Sequence, residues 1–263
     1  QGLFEAAQKN YQKAITLETE FFEAHNNLGL LLKETGNFRN SECSFRRAIE
    51  IQPGNAEAHN NLGATLQKMS RHEEAQESYG QAVNFRPEVS IYWRNLGTSL
   101  MLLGRLENAQ SSFQKALLLN PTDAKLFFDL AGINKILGEI NEAERNYEQA
   151  ILLNPNFVEA LSNLGSILRE TNRLEEAEAI FRKTISLRPD YAEGHYNLGL
   201  VLQDLHRLDF AIASYQSALA IKHDFKEALA GIGNILLLQS RHQEGLEKLK
   251  VANGIISFNI GKG

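Results

Sequence analysis

The chain is poor in the residues that usually carry chemistry. Cys43 is the only cysteine in 263 residues, so neither an internal disulfide nor a thiolate zinc site is available. A lone thiol favours a reducing, cytoplasmic compartment. No Lys/Arg run reaches five residues and the formal charge is −5, which argues against the basic footprint of a nucleic-acid partner. No apolar stretch is long enough to cross a membrane as a helix. There is no Gly-rich phosphate loop, nucleophile elbow or HExxH, so neither an enzyme nor a cofactor is expected. The chain begins Gln1-Gly2 without a methionine or a signal-peptide pattern, and reads as a processed or excised piece. What is present is globular: 43% hydrophobic and 22% charged residues exclude a disordered chain.

Proline is scarce as well, and its placement is the first positive signal. All five prolines, Pro53, Pro87, Pro121, Pro155 and Pro189, are spaced 34 residues apart. A second ladder runs in step: Leu28-Gly29, Leu62-Gly63, Leu96-Gly97, Leu164-Gly165 and Leu198-Gly199, with Leu130-Ala131 and Ile232-Gly233 on the remaining rungs. A fixed period of this length makes the chain an array, which overrides the two-domain prior set by length and favours an extended surface over a catalytic pocket.

One period shows the unit. Leu161, Leu164, Ile167 and Leu168 follow helical spacing and predict helix A from Val158 to Glu170. Asn172-Arg173 makes the turn. Ala177, Ile180, Phe181, Thr184 and Ile185 form the stripe of helix B, from Leu174 to Leu187. Pro189 closes helix B, because proline disfavours helical geometry in the residue before it. Asp190 is placed to cap the next helix A. Glycine inside a helix costs about 0.8–1 kcal/mol relative to alanine, so its recurrence in helix A predicts a close approach to helix B. The ladder Phe45, Tyr79, Phe113, Tyr147, Phe181 and Tyr215 is expected to fill the space between adjacent units.

The pattern Trp93-x-x-Leu96-Gly97, Ala109-x-x-x-Phe113, Ala116, Pro121 resembles the tetratricopeptide repeat (TPR) and recurs over essentially the whole chain. The resemblance implies an all-α fold: a right-handed superhelical solenoid of antiparallel helix pairs, with a concave face lined by helices A. Residues 1–21 then hold helix B of an incomplete first repeat and residues 22–253 hold seven repeats. Residues 254–263 form a non-helical tail. The last helix B, about Gln243 to Ala252, carries Gly245 and Leu249 where alanine and an aromatic are usual. The β-prone run Ile255–Ile260 is either a disordered tail or the first strand of a removed domain.

Function in such an array sits on the exposed side of helix A. The residue before each Leu is Asn27, Asn61, Asn95, Asp129, Asn163, Asn197 or Gly231. Asparagine is a mediocre helix former, and its amide both donates and accepts. The Asn-Leu-Gly triplet resembles the superhelical TPR arm of O-linked N-acetylglucosamine transferase-like proteins, which implies that Asn27, Asn61, Asn95, Asn163 and Asn197 hold a peptide main chain. The alternative is that these asparagines only tune helix packing. Five residues before the Leu, the outer repeats carry Glu23, Glu57, Glu159, Glu193 and Glu227, while the central ones carry Ile91 and Lys125. The central repeats also place Tyr92, Arg94, Met101, Leu102, Phe128 and Ile136 where exposure or half-exposure is expected, a candidate partner site. Asn134 stands at an apolar position, either satisfied by a neighbour or offered to the groove.

His25, His59 and His195 share a phase with Trp93. Successive rungs are about 10 Å apart per helix layer, whereas metal–nitrogen bonds need about 2 Å, so they do not make a metal site. The Lys/Asn/Arg clamp with which chaperone-type TPRs hold a terminal carboxylate is missing. Three readings remain: a scaffold for a protein or peptide ligand, the substrate-recruiting arm of a multidomain enzyme such as a glycosyltransferase, and a module that self-associates end to end.

Overall fold

The structure is a computed structural model that describes residues 2–254. Those residues form helices α1 (Gly2–Leu17), α2 (Phe22–Glu34), α3 (Phe38–Ile51), α4 (Ala56–Lys68), α5 (His72–Phe85), α6 (Ser90–Leu102), α7 (Leu106–Leu119), α8 (Ala124–Ile136), α9 (Ile140–Leu153), α10 (Val158–Glu170), α11 (Leu174–Leu187), α12 (Ala192–Asp204), α13 (Leu208–Ile221), α14 (Lys226–Leu238) and α15 (His242–Ala252). Even-numbered helices are the A helices and odd-numbered ones the B helices. There is no strand among the described residues. The β-prone run after Gly254 lies outside them.

The chain divides into two units, residues 1–143 and 144–263. In the first, consecutive helices from α1 to α8 pack on one another; in the second, those from α10 to α15 do so. Within each unit successive A helices also touch: α2 with α4, α4 with α6, α10 with α12, and α12 with α14. The neighbouring B helices α3, α5 and α7, or α11 and α13, do not come as close. The A helices therefore occupy the crowded, inner side of each stack.

A glycine of helix A and an aromatic of helix B set the spacing inside each pair. A methyl group added at Gly29 would stand 2.8 Å from Phe45, one at Gly63 2.8 Å from Tyr79, and one at Gly165 2.8 Å from Phe181. At Gly199 it would stand 2.5 Å from Tyr215. The aromatic ladder thus packs first on helix A of its own repeat, rather than only between repeats. Tyr215 does both, since a methyl at Gly231 of the next helix A would lie 2.7 Å from it. Phe45, Phe113 and Tyr215 are fully buried, and so are Ala75, Ala109, Ala177 and Ala211 of the B helices. In the last pair, Gly245 and Leu249 take these two places. A methyl at Gly233 would meet Leu249 at 2.8 Å and the Gly245 carbonyl at 3.1 Å, so glycine on both helices lets the backbones meet.

The turn from A to B repeats one geometry. Gly36, Ser70, Gly104, Gly138, Asn172, His206 and Ser240 all have positive φ. The following N–H closes back on the carbonyl five residues earlier, as in Arg71 to Leu66 at 3.0 Å and Arg207 to Leu202 at 2.8 Å. This is a Schellman closure, which normally takes glycine at the left-handed position. Ser70, His206 and Ser240 bear a steric cost there of about 1–2 kcal/mol.

The turn from B to A is set by the residue before proline. Gln52, Arg86, Asn120 and Arg188 leave helical geometry, with φ between −128° and −139°. Lys222 does the same with φ −124° although His223 follows it, so packing holds this turn without proline. Capping departs from expectation. Asn55 accepts from the Ala58 N–H at 3.0 Å, and Asp123 from Lys125 N–H at 2.9 Å and Leu126 N–H at 3.3 Å. Asp190 does not cap α12, because Tyr191 occupies the cap position and makes no side-chain bond there.

These contacts predict one loss and two gains of stability for three substitutions that remove or introduce glycine. Gly199→Ala should destabilise by about 1–3 kcal/mol through overpacking on Tyr215. Gly80→Ala, in α5 with nothing near the added methyl, should stabilise by about 0.8–1 kcal/mol. His206→Gly should gain about 0.5–1 kcal/mol, the relief of the left-handed residue less the entropy of glycine. Denaturant unfolding midpoints measured side by side check all three.

Candidate functional site on the inner face

The inner face of the first unit is built by α2, α4, α6 and α8. The asparagine ladder does not stand on it uniformly. Asn27 is exposed and makes no side-chain hydrogen bond among the described residues. Asn61 is buried, and its Nδ2 has no partner. Asn95 is half-buried, and its Nδ2 donates to Asn60 Oδ1 on α4 at 2.8 Å. In the second unit, Asn163 Nδ2 donates to the Tyr147 hydroxyl at 3.0 Å, while Asn197 is half-buried and makes no side-chain hydrogen bond. The amides of Asn95 and Asn163 are therefore partly spent inside the protein, leaving their Oδ1 atoms as the available groups.

The central cluster lies within the first unit. Ile91 and Leu102 of α6 and Ile136 of α8 are exposed, at 38%, 50% and 62% of their full areas. Met101 and Phe128 are half-buried, and Met101 packs on the core. Tyr92 corrects an expectation: it is buried in the core with Leu96, Leu100, Leu126 and Leu130 and does not face the groove. The polar groups among the apolar ones are arranged in local pairs. Arg94 Nη1 lies 3.5 Å from Asp123 Oδ2. Lys125 Nζ donates to Asp129 Oδ1 at 2.7 Å and sits 4.4 Å above the Phe128 ring. Burial raises the carboxyl of Asp129 above the ordinary aspartate range, and its bond to Lys125 and the nearby Arg94 pull it back. The result is an apolar strip on α6 and α8 whose flanking charges largely neutralise one another.

The remaining candidates are structural. Asn134 is buried, and its Oδ1 accepts from Gln110 Nε2 at 3.0 Å. The ring ladder ties each helix A to the loop before it. Trp93 Nε1 donates to the Pro87 carbonyl at 2.8 Å, His59 Nε2 to that of Pro53 at 2.9 Å, and His195 Nε2 to that of Pro189 at 3.0 Å. His25 Nε2 reaches the Thr19 carbonyl at 3.1 Å in the same way. A carbonyl can only accept, so each histidine carries its proton on Nε2. Among the described residues no group of His, Cys, Asp and Glu is arranged to hold a metal, and no helix is long and apolar enough to cross a membrane.

A polar ladder between repeats had no counterpart in the sequence reading. Arg71 donates to Glu42 at 2.6 Å, Arg105 to Gln76 at 2.8 Å, and Arg207 to Glu178 at 2.6 Å, always across 29 residues. Arg173 and Glu144 form the same pair. On one rung the sense reverses, with Gln110 donating to Glu139 at 2.6 Å. The signal was available as a second 34-residue ladder of Glu/Gln facing one of Arg, but only the helix-pair geometry shows that they meet.

The comparisons agree with this architecture. The model of the cilia and flagella-associated protein 70 C-terminal domain matches residues 1–234. Among solved structures, YrrB, a TPR protein with an unusual peptide-binding site, is 24% identical with a TM-score of 0.62, over 70% of this chain and 95% of its own. PilF of Pseudomonas aeruginosa is 19% identical with a TM-score of 0.68, over 84% of this chain and 97% of its own. The Cut9–Hcn1 hetero-tetramer of the APC/C is 18% identical with a TM-score of 0.65, over 89% and 46%. At these identities the likeness to solved structures concerns the fold. No curated protein matches the chain. With helix pairs throughout and a family match over most of its length, the chain is a tetratricopeptide-repeat array that belongs to the family of the cilia and flagella-associated protein 70 C-terminal domain.

Proposed function

We propose that the protein is a non-catalytic interaction scaffold that takes an extended peptide, or an extended segment of a partner protein, on the inner face of its first unit. The observation that carries this reading is the apolar strip of α6 and α8. Ile91, Met101, Leu102, Phe128 and Ile136 gather on a face where the neighbouring repeats carry Glu, Asn, Gln and Lys at the same phases. Exposed apolar area of this kind, rimmed by polar groups, is what a partner covers.

The physical fit favours an extended ligand. Ile91 and Leu102 are eleven residues apart on one helix, or about 16 Å at 1.5 Å per residue. An extended chain covers that length in about five residues. Apolar side chains of the ligand would pack between α6 and α8. Arg94, Lys125 and Asp129 are already paired locally and would add selectivity at the rim more than net attraction. Asn27 and the free Oδ1 of Asn95 would hold main-chain groups in the first unit, as Asn197 and the Oδ1 of Asn163 would in the second. Asn61 would reach a ligand only after a side-chain rearrangement. A neighbour of the same fold, YrrB, carries a peptide-binding site of its own.

The reading is tested by panning a library of unstructured peptides against the chain and measuring affinity for the selected sequences. Enriched peptides should carry apolar residues. The double variant Leu102→Ser, Phe128→Ala should bind them at least tenfold more weakly with an unchanged helical circular-dichroism spectrum. Equal binding by the variant and the parent would remove the α6/α8 strip from consideration.

A further inference from the structure

In the second unit an ion pair joins the last turns of two successive A helices. Arg169 of α10 donates through Nε to Asp204 Oδ2 of α12 at 2.6 Å, across 35 residues. The same offset joins Asn60 of α4 to Asn95 of α6 in the first unit. Four periods before Arg169 and Asp204 stand Lys33 of α2 and Lys68 of α4, at the equivalent places. Helices α2 and α4 touch, as α10 and α12 do. No other pair at this offset and phase carries two charges of one sign. Neither ammonium has an ion pair or a hydrogen bond among the described residues. Burial lowers the Lys33 ammonium below the ordinary lysine range, and the neighbouring carboxylate of Glu34 opposes this without cancelling it.

The cleft between Lys68 and α6 has the same imbalance. It holds about 310 Å³ and is lined by Ala64, Gln67, Lys68, His72, Tyr79 and Leu102, none of them acidic. The Tyr79 hydroxyl donates to Gln67 Oε1 at 3.0 Å, so Gln67 Nε2 is left as a donor. Leu102 belongs to the apolar strip and is exposed, so the cleft is continuous with that strip. We infer that this end of the inner face is an anion site, at which Lys33 and Lys68 together hold a carboxylate of the partner's segment beside the residues that pack on Leu102. Two cations at equivalent places to an ion pair, without an acid to bond them, are complementary to one anion, and a carboxylate offers an oxygen to each. In the second unit the protein supplies that anion itself, as Asp204. The inference rests on the reading of the inner face as a peptide surface and adds to it the partner's charge: acidic next to apolar.

Hexaglutamate blocked at both ends is the probe, measured against the intact chain by calorimetry at low salt. It should bind, and hexaglutamine should not. Lys33→Gln combined with Lys68→Gln should weaken binding by about fivefold, whereas Lys33→Arg combined with Lys68→Arg should retain it. Lys226→Gln combined with Lys250→Gln removes the same charge from the second unit and should change nothing. Equal losses from the two glutamine pairs would mean general charge attraction and would overturn the site, as would no loss from the first pair. Binding of inorganic phosphate at these lysines without binding of hexaglutamate would overturn the carboxylate as ligand. The Leu102→Ser, Phe128→Ala variant should bind hexaglutamate as the parent does while losing the panned peptides, so failure of the strip and failure of the lysine site are read separately. Stability supplies a readout without any ligand. Lys68→Glu puts opposite charges at this rung, as in α10 and α12. It should abolish hexaglutamate binding and raise the folded-to-unfolded ratio by about twofold at low salt, a gain that high salt removes. An unchanged ratio would place the two lysines too far apart to share an anion and would overturn the inference.

Discussion

The glycine–aromatic contact is the constraint on which the rest of the structure depends. It fixes how near helix B stands to helix A, because a ring lies where a side chain on the glycine would be. The distance is short enough that alanine would not fit at Gly199 without movement. Once it is fixed, each helix pair behaves as one rigid piece, and the array can be assembled only by repeating that piece. The turns follow from it. A Schellman closure at every A–B corner is the route between two helices held this close, and the chain accepts serine and histidine in left-handed geometry to keep it. The last pair supports the same conclusion from the other direction. Where the aromatic is replaced by Leu249, glycine appears on helix B as well, and the close approach is kept by different residues.

Contacts between repeats combine a shared buried core with polar pairs. Within a pair, the fit is steric and buried. Between pairs the core continues, with Phe45 clustered with Leu62 and Leu66, and polar pairs join it: the Arg–Glu ladder across 29 residues and the Asn95–Asn60 amide bond across 35. Exposed ion pairs of this type contribute at most about 1 kcal/mol each, and less in salt.

The helix pairs were legible in the sequence because each depends on residues within one period. Val158–Glu170 and Leu174–Leu187 follow directly from the 34-residue ladder and the helical stripe. The misreadings share a different origin. Asp190 looked like a cap because it precedes a helix, but the B-to-A turn places Tyr191 in that position. Tyr92 looked exposed because helical spacing alone does not say how wide the buried stripe is when two further helices pack beside it. The asparagines read as one ladder because they share a phase, yet the structure gives them different surroundings, since the partner of each lies one repeat away. Residues at offsets of 29 and 35 meet only because of how one pair sits on the next, and no single period contains that information.

That distinction separates the positions the stack consumes from those it leaves free. A position that every repeat fills in the same way is under the demand of the stack, and its chemistry is consumed there, as with the ring donors on the loop carbonyls and the arginines on their glutamates. A surface for a partner must use positions that the stack leaves free, and these are visible as departures. At the phase where α2 and α4 carry Asn26 and Asn60, α6 and α8 carry Arg94 and Phe128. Arg94 acts on Asp129 there, and the Phe128 ring lies under Lys125. Leu102 and Ile136 stand exposed on these two helices at the phase where α2 and α4 carry Glu34 and Lys68, so this part of the inner face is apolar where its neighbours are charged.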